Sequence, residues 1–302
     1  MVSGNMTESN VTIPSSFMYE GKEYTVVCIG ESAFSSHISL NNITIPESIT
    51  SIGRSAFAAC ENLKEISIPS SVTKIEGDAF EGCSSLTSFA FPNSITSISF
   101  MVLWGCTNLK NITIPNSVTK IEGDAFSSCT NLENIIIPNS VTTIGELAFK
   151  GCTSLTNVEF PDMLTTIEDN AFEKCTGLTS IEIPDKVTSI GKKAFYNCKN
   201  INTIVSHILE PFPININVFD ELYKSATLYV PIGTKAKYKD AYGWNRFLLI
   251  EEGEPASIST NAIQTTNIID SYKISGYHYN KPQKGLYILK MSDGTTRKVM
   301  LR

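Results

Sequence analysis

Apolar and polar positions along this chain follow two nested periods. The short one is local. Leu63 to Ser85 reads L-K-E-I-S-I-P-S-S-V-T-K-I-E-G-D-A-F-E-G-C-S-S, and Ile66 and Ile68 flank an outward Ser67 with the period of two expected of a strand. Pro69 ends that strand by removing a backbone donor. Val72 to Ile75 is a second short extended stretch, and the segment through Ala79, Phe80 and Cys83 has room for one helical or 3-10 turn with those three side chains inward.

The long period is 23 residues. It carries Pro46, Pro69, Pro92, Pro115, Pro138, Pro161 and Pro184, and likewise Cys60, Cys83, Cys106, Cys129, Cys152, Cys175 and Cys198. Leu63, Leu86, Leu109, Leu132, Leu155 and Leu178 keep the same beat. The frame extends back to Ile29, Ala33-Phe34 and Leu40, with His37 in the cysteine register as a first-coil substitute at a less covered position. One unit is therefore repeated about eight times. No unit can bury its own apolar side, so units stack and their strands align into one parallel sheet.

Eight cysteines would, in a secreted chain, ordinarily suggest disulfides. The period argues otherwise. Equivalent residues of stacked coils lie about 4.7–4.9 Å apart with parallel side chains, whereas a disulfide needs Cβ atoms near 3.8 Å that point at each other. The seven periodic thiols should form a buried, unbridged file, each a small hydrophobe. A file also cannot converge on a metal ion.

The totals narrow the function. With 24 Lys+Arg against 30 Asp+Glu the net charge is −6, which argues against nucleic acid or an anionic membrane as partner. No apolar run is long enough to span a bilayer, so no transmembrane segment is expected. Met1 to Asn10 is polar and lacks the apolar centre of a signal peptide, so the chain either stays inside the cell or is exported with its leader no longer attached. The three histidines, His37, His207 and His278, stand far apart, and there is no G-x-S-x-G, H-E-x-x-H, phosphate loop or C-x-x-C. No catalytic residue, cofactor or firm metal site is read from the sequence, and the chain is expected not to be an enzyme.

Residues 1–28 read as an N-terminal β-hairpin cap turning at Tyr19-Glu20-Gly21-Lys22, and 29–206 as the solenoid. Residues 207–250 read as a C-terminal cap: a strand at Thr227 to Val230, then a helix from Thr234 to Tyr242 with Thr234 as N-cap, and Trp244 and Phe247 covering the last coil. Residues 251–267 read as a polar linker, and 268–302 as a small antiparallel β-module with a hairpin turn at Ser292-Asp293-Gly294.

The recurrence of L-x-x-I-x-I-P followed by A-F-x-x-C resembles the BspA-like class of leucine-rich repeats of bacterial surface proteins, over roughly Val26 to Ser206. The run from Lys281 to Val299 resembles C-terminal β-modules of exported Bacteroidetes proteins, which act as sorting or attachment signals. These resemblances imply an α/β fold: a right-handed leucine-rich-repeat solenoid, with short parallel strands on a concave face and strand, 3-10 or short helix on the convex one. They also imply an extracellular or cell-surface location and protein–protein adhesion, to host matrix or other bacterial surface proteins. A glycan-binding surface module and a structural spacer are the alternatives.

On the concave face, outward positions form columns. The candidate binding residues are Asn111, Asn134 and Asn157 on the strands, Asn93, Asn116 and Asn139 after the prolines, and Glu159 and Glu182 beside them. The competing account is a polar face kept soluble by ladders that satisfy one another. Glu159, Asp162, Glu182 and Asp185 form either a solvated acidic patch or a calcium site. One coil departs from the rule, reading Ile98-Ser-Phe-Met-Val-Leu-Trp-Gly-Cys106. Phe100, Met101 and Trp104 are then either a convex contact patch or local repacking, with Trp104 filling volume lost at Leu103.

Overall fold

The structure, a computed structural model, describes residues 8–255, 268–273, 285–291 and 296–301. The chain forms two compact units that meet in sequence at Glu254 and Pro255. In the first, the I-x-I segments stack as a column of short strands: Asn10–Thr12, Asn42–Thr44, Ser88–Ala90, Asn111–Thr113, Asn134–Ile136, Asn157–Glu159, Ser180–Ile183, Thr203–Ser206, Thr227–Val230 and Leu249–Glu252. Paired strands of this column run parallel, and between repeats the register is one full period, as in Asn111 opposite Ser88 and Asn134 opposite Asn157. The V-T-x-I segments form a second column of two-residue strands running from Cys28–Ile29 to Ser189–Ile190. It is also parallel and in register, with Ile98, Ile121, Ile144, Ile167 and Ile190 in line.

The third side of each coil differs from expectation. Among the described residues the repeats contain no helix or 3-10 helix; α-helix is confined to Leu222–Ser225 and Lys235–Asp240, and 3-10 helix to Trp244–Arg246. The repeats are thus a β-solenoid, not an α/β layer. Two left-handed residues per coil prevent a helix: Asp124 (φ 52°) and Ser128 (φ 62°), like Asp78 and Gly82 one coil-pair earlier, sit where helical φ would be needed. Amides there alternate between a local turn (Cys129 N–H to the Phe126 carbonyl, 3.2 Å) and the next coil (Phe126 N–H to the Ala148 carbonyl, 2.8 Å).

The ends are also built differently. Asn10–Thr12 is a rung of the first column, with Val11 opposite Ile43, so the stack begins before the hairpin. The hairpin itself, Ser16–Tyr19 against Lys22–Thr25, turns at Glu20 (φ 48°) and Gly21 (φ 76°), both in the left-handed region that a type I′ turn requires. At the other end Glu251 and Glu252 pair with Tyr229 and Val230, so they belong to the sheet and not to a linker. Thr234 stands at the helix N-cap position, but its hydroxyl bonds the Pro231 carbonyl at 2.7 Å instead of capping an amide. Trp244 and Phe247 are buried and cover Phe219 of the last coil at 5.7 and 5.2 Å between ring centres. In the second unit, Ile268–Lys273, Gly285–Met291 and Thr296–Leu301 form a three-stranded antiparallel sheet. The Ser292-Asp293-Gly294 turn and residues 256–267 lie outside the described residues.

The core is a set of files. Leu, Ile, Ala, Phe and Cys of most repeats are buried, with Ala33, Phe34, Ile66, Ile68 and Ile112 partly so, and all eight cysteines are free thiols. Each periodic thiol also donates to a carbonyl 26 residues upstream: Cys83 to Phe57 at 3.2 Å, Cys152 to Phe126 at 3.2 Å, Cys198 to Phe172 at 2.9 Å. Those carbonyls already accept the amide of their own coil's cysteine, so the thiol takes the second lone pair and ties two coils together. Alongside runs a phenylalanine stack, Phe34–Phe57–Phe80 and Phe126–Phe149–Phe172–Phe195–Phe219, with neighbouring ring centres 5.1–5.5 Å apart. On the surface, hydroxyls repeat the arrangement, as in Thr119 to the Thr96 carbonyl and Ser140 to the Val118 carbonyl.

Candidate functional site

The strand face presents the predicted columns to solvent. Asn111, Asn134 and Asn157 are exposed on consecutive rungs, and Asn93, Asn116 and Asn139 are exposed after their prolines. The amide columns do not satisfy one another. The amide-to-amide bonds among the described residues are instead Asn42 to Asn10 and Asn131 to Asn108. Ile136 stands in the middle of this polar field with 76% of its surface exposed, opposite Glu159 on the next rung.

The acidic residues are not gathered. Glu182 is half-buried and bonds His207 Nε2 at 2.6 Å, while Glu159, Asp162 and Asp185 are exposed. Among the described residues no three His, Cys, Asp or Glu side chains converge as a metal ion would require, so the calcium arrangement does not form.

Phe100 is 42% exposed, while Met101 and Trp104 are half-buried. Gly77 and Gly123 hold the Phe100 register in the flanking coils; a Cβ at Gly123 would meet the Phe100 ring at 3.4 Å. Leu103 does interrupt the phenylalanine stack, but Trp104 is not the residue that bridges it. Phe89 and Phe91 do so, standing where most other coils carry isoleucine (Val158 and Phe160 are exceptions): the ring path runs Phe80–Phe89 (4.9 Å), Phe89–Phe91 (4.7 Å) and Phe91–Phe126 (6.5 Å). The compensation was visible in the sequence, because Phe89, Phe91 and Leu103 belong to one repeat.

Two features were not anticipated. The hairpin exposes Phe17, Met18, Tyr19 and Tyr24, with Phe17 stacked on Tyr24 at 5.7 Å and the Lys22 ammonium 5.3 Å from the Tyr24 ring centre. The residues around Ile66 and Ile68 form no strand, unlike the equivalent residues of the coils before and after, and an open cleft of about 520 Å³ lies there.

Nucleophilic chemistry is not favoured by the thiols. Burial pushes Cys60 up to about 11 and Cys129 and Cys198 up to about 12, so they stay protonated at neutral pH. His37 is buried, contrary to the expected less covered position, and neither ring nitrogen has a partner among the described residues. Among the described residues no helix is long and apolar enough to cross a membrane.

A model of the BspA type leucine rich repeat region matches residues 9–133 and 120–237 in six copies. A leucine-rich repeat protein of T. pallidum is 27% identical, with 66% of this chain and 79% of that one covered and a TM-score of 0.51. A leucine-rich repeat protein from Bacteroides ovatus ATCC 8483 is 22% identical over 82% of this chain and 81% of that one, with a TM-score of 0.49. Among curated proteins none is similar enough to count as a significant match. With the family pattern spanning most of the first unit and the stacked coils that pattern demands, this chain belongs to the BspA-type leucine-rich repeat family.

Proposed function

We propose that this is a non-enzymatic scaffold outside the cell or on its surface that binds other proteins through its strand face, with host matrix proteins or neighbouring bacterial surface proteins as partners. Repeat scaffolds of this kind generally serve protein interaction. The observation that carries the reading is Ile136: a large apolar side chain held almost bare at the centre of a rigid field of unbonded amides. An apolar anchor with polar donors and acceptors around it suits a protein interface, and strands fix those groups before binding, so little ordering entropy is lost.

The test is biolayer interferometry against purified matrix proteins and surface proteins of co-resident bacteria. Ile136→Glu and the triple variant Asn111→Ala, Asn134→Ala, Asn157→Ala should each weaken binding by about tenfold or more, with melting temperature unchanged. Binding that both variants leave intact would move the interface elsewhere, and silence against the whole panel would favour the spacer.

A further inference from the structure

Beside the missing strand lies a shallow, open cleft with a wholly polar lining. Its walls come from successive coils, with Asn42 at one end and Lys110 at the other, and Lys64, Glu65 and Thr87 between them. Ser85 and Asn108 complete it, so every lining side chain is polar or charged. The cause lies in the fold. The coil between Asn42–Thr44 and Ser88–Ala90 contributes no strand to the first column, and its outer face is joined to its neighbours by single backbone bonds, Lys64 N–H to the Asn41 carbonyl at 3.4 Å and Thr87 N–H to the Lys64 carbonyl at 3.3 Å.

The chemistry of the lining selects a class of ligand. Lys64 and Lys110 occupy the same register two coils apart, roughly 9–10 Å by strand spacing, and neither forms an ion pair among the described residues. Between them the Thr87 and Ser85 hydroxyls and the Asn108 amide offer short-range donors and acceptors. Two ammonium groups against the single Glu65 carboxylate leave the lining with a net charge of about +1, which favours an anion, and the hydroxyl and amide groups call for a hydroxylated one. No aromatic ring lines the cleft, so the stacking platform that suits a neutral sugar is absent.

We propose that this cleft is a binding site for an acidic saccharide, with the sugar's anionic group held between Lys64 and Lys110 and its hydroxyls bonded to Thr87, Ser85, Asn108 and Asn42. The site is separate from Ile136 and stands or falls independently of protein binding by the strand face.

The experiment is isothermal titration of the full chain with trigalacturonate, a sulfated disaccharide, neutral maltotriose and a hexaglutamate peptide. Trigalacturonate, the sulfated disaccharide or both should bind, more weakly as salt rises, and maltotriose should not. Lys64→Ala/Lys110→Ala should reduce that binding at least tenfold while leaving the melting temperature and any matrix-protein binding unchanged. Trigalacturonate alone would identify the anionic group as carboxylate, and the disaccharide alone as sulfate. No binding of either acidic sugar at millimolar concentration, binding untouched by the double variant, or hexaglutamate binding as tightly as the sugars would each overturn the proposal.

Discussion

Cysteine in this repeat does two jobs that no other residue of its size combines. It fills a buried position of fixed volume, and its S–H donates to a phenylalanine carbonyl of the preceding coil, as Cys152 does to Phe126 at 3.2 Å. Alanine would leave a small void and an empty lone pair, so Cys152→Ala should cost about 1–2 kcal/mol in urea unfolding. The thiols also make stability depend on pH. Unfolded, they ionise near the ordinary value of 9.0; folded, burial raises Cys60 to about 11 and Cys129 and Cys198 to about 12. The folded state therefore holds protons that the unfolded state has released. This contribution is fully present below about pH 9 and is lost as pH rises through the folded values. The melting temperature should fall steadily from pH 8.5 upward, and a variant with several of these cysteines replaced by alanine should fall less steeply. The position of the thiol file was legible from spacing alone, because period reports location. The donor role was not, because it depends on a carbonyl 26 residues away that no side-chain pattern reveals.

At the scale of one coil, the instructive unit is Leu86 to Cys106. It exchanges Phe for Leu at 103 and Ile for Phe at 89 and 91, and the ring path around Leu103 stays continuous. Leu103→Phe alone should overpack the site and cost about 1–3 kcal/mol. Adding Phe89→Ile should recover much of that loss, and a double-mutant cycle by urea unfolding measures the coupling; strict additivity would mean that these positions do not share volume. Trp104→Ala should change stability less than Phe89→Ala does, since the bridge does not run through the indole. The strands and their inward residues were readable because alternation and the proline stop are local signals. The turn side was misread because the A-F-x-x-C spacing places three buried residues as a helix would. What breaks the helix is left-handed backbone at two positions per coil, and its only trace in sequence is a bias there toward small polar residues and glycine, such as Asp78 and Gly82.

Over the whole first unit, each coil touches only its neighbours, so the ends protect the middle. Tyr238 and Trp244 seal one end. Both are fully buried; the Tyr238 hydroxyl donates to the Ile208 carbonyl at 2.9 Å, and Trp244 Nε1 donates to the Phe212 carbonyl at 2.9 Å. Removing the indole by Trp244→Ala should cost about 3–5 kcal/mol locally. Hydrogen exchange should show protection lost at Ser180–Ile183 and Thr203–Ser206 while Asn111–Thr113 keeps its own; uniform loss would instead indicate one cooperative block. The candidate site was legible in part. Column membership of Asn111, Asn134 and Asn157 follows from period and alternation. The cleft does not, because Ile66 and Ile68 carry the same letters as the coils that do form strands, and only the stacked structure exposes the gap.

The central claim is a single interior shared by stacked coils, with seven unbridged thiols in file. Thiol counting with a small alkylating reagent and intact mass tests it most directly. Without reductant, the native chain should take up one label, at exposed Cys28, and the chain unfolded in guanidinium should take up eight. A native chain that labels at several periodic cysteines, or an unfolded one that reaches eight only after reduction, would contradict it.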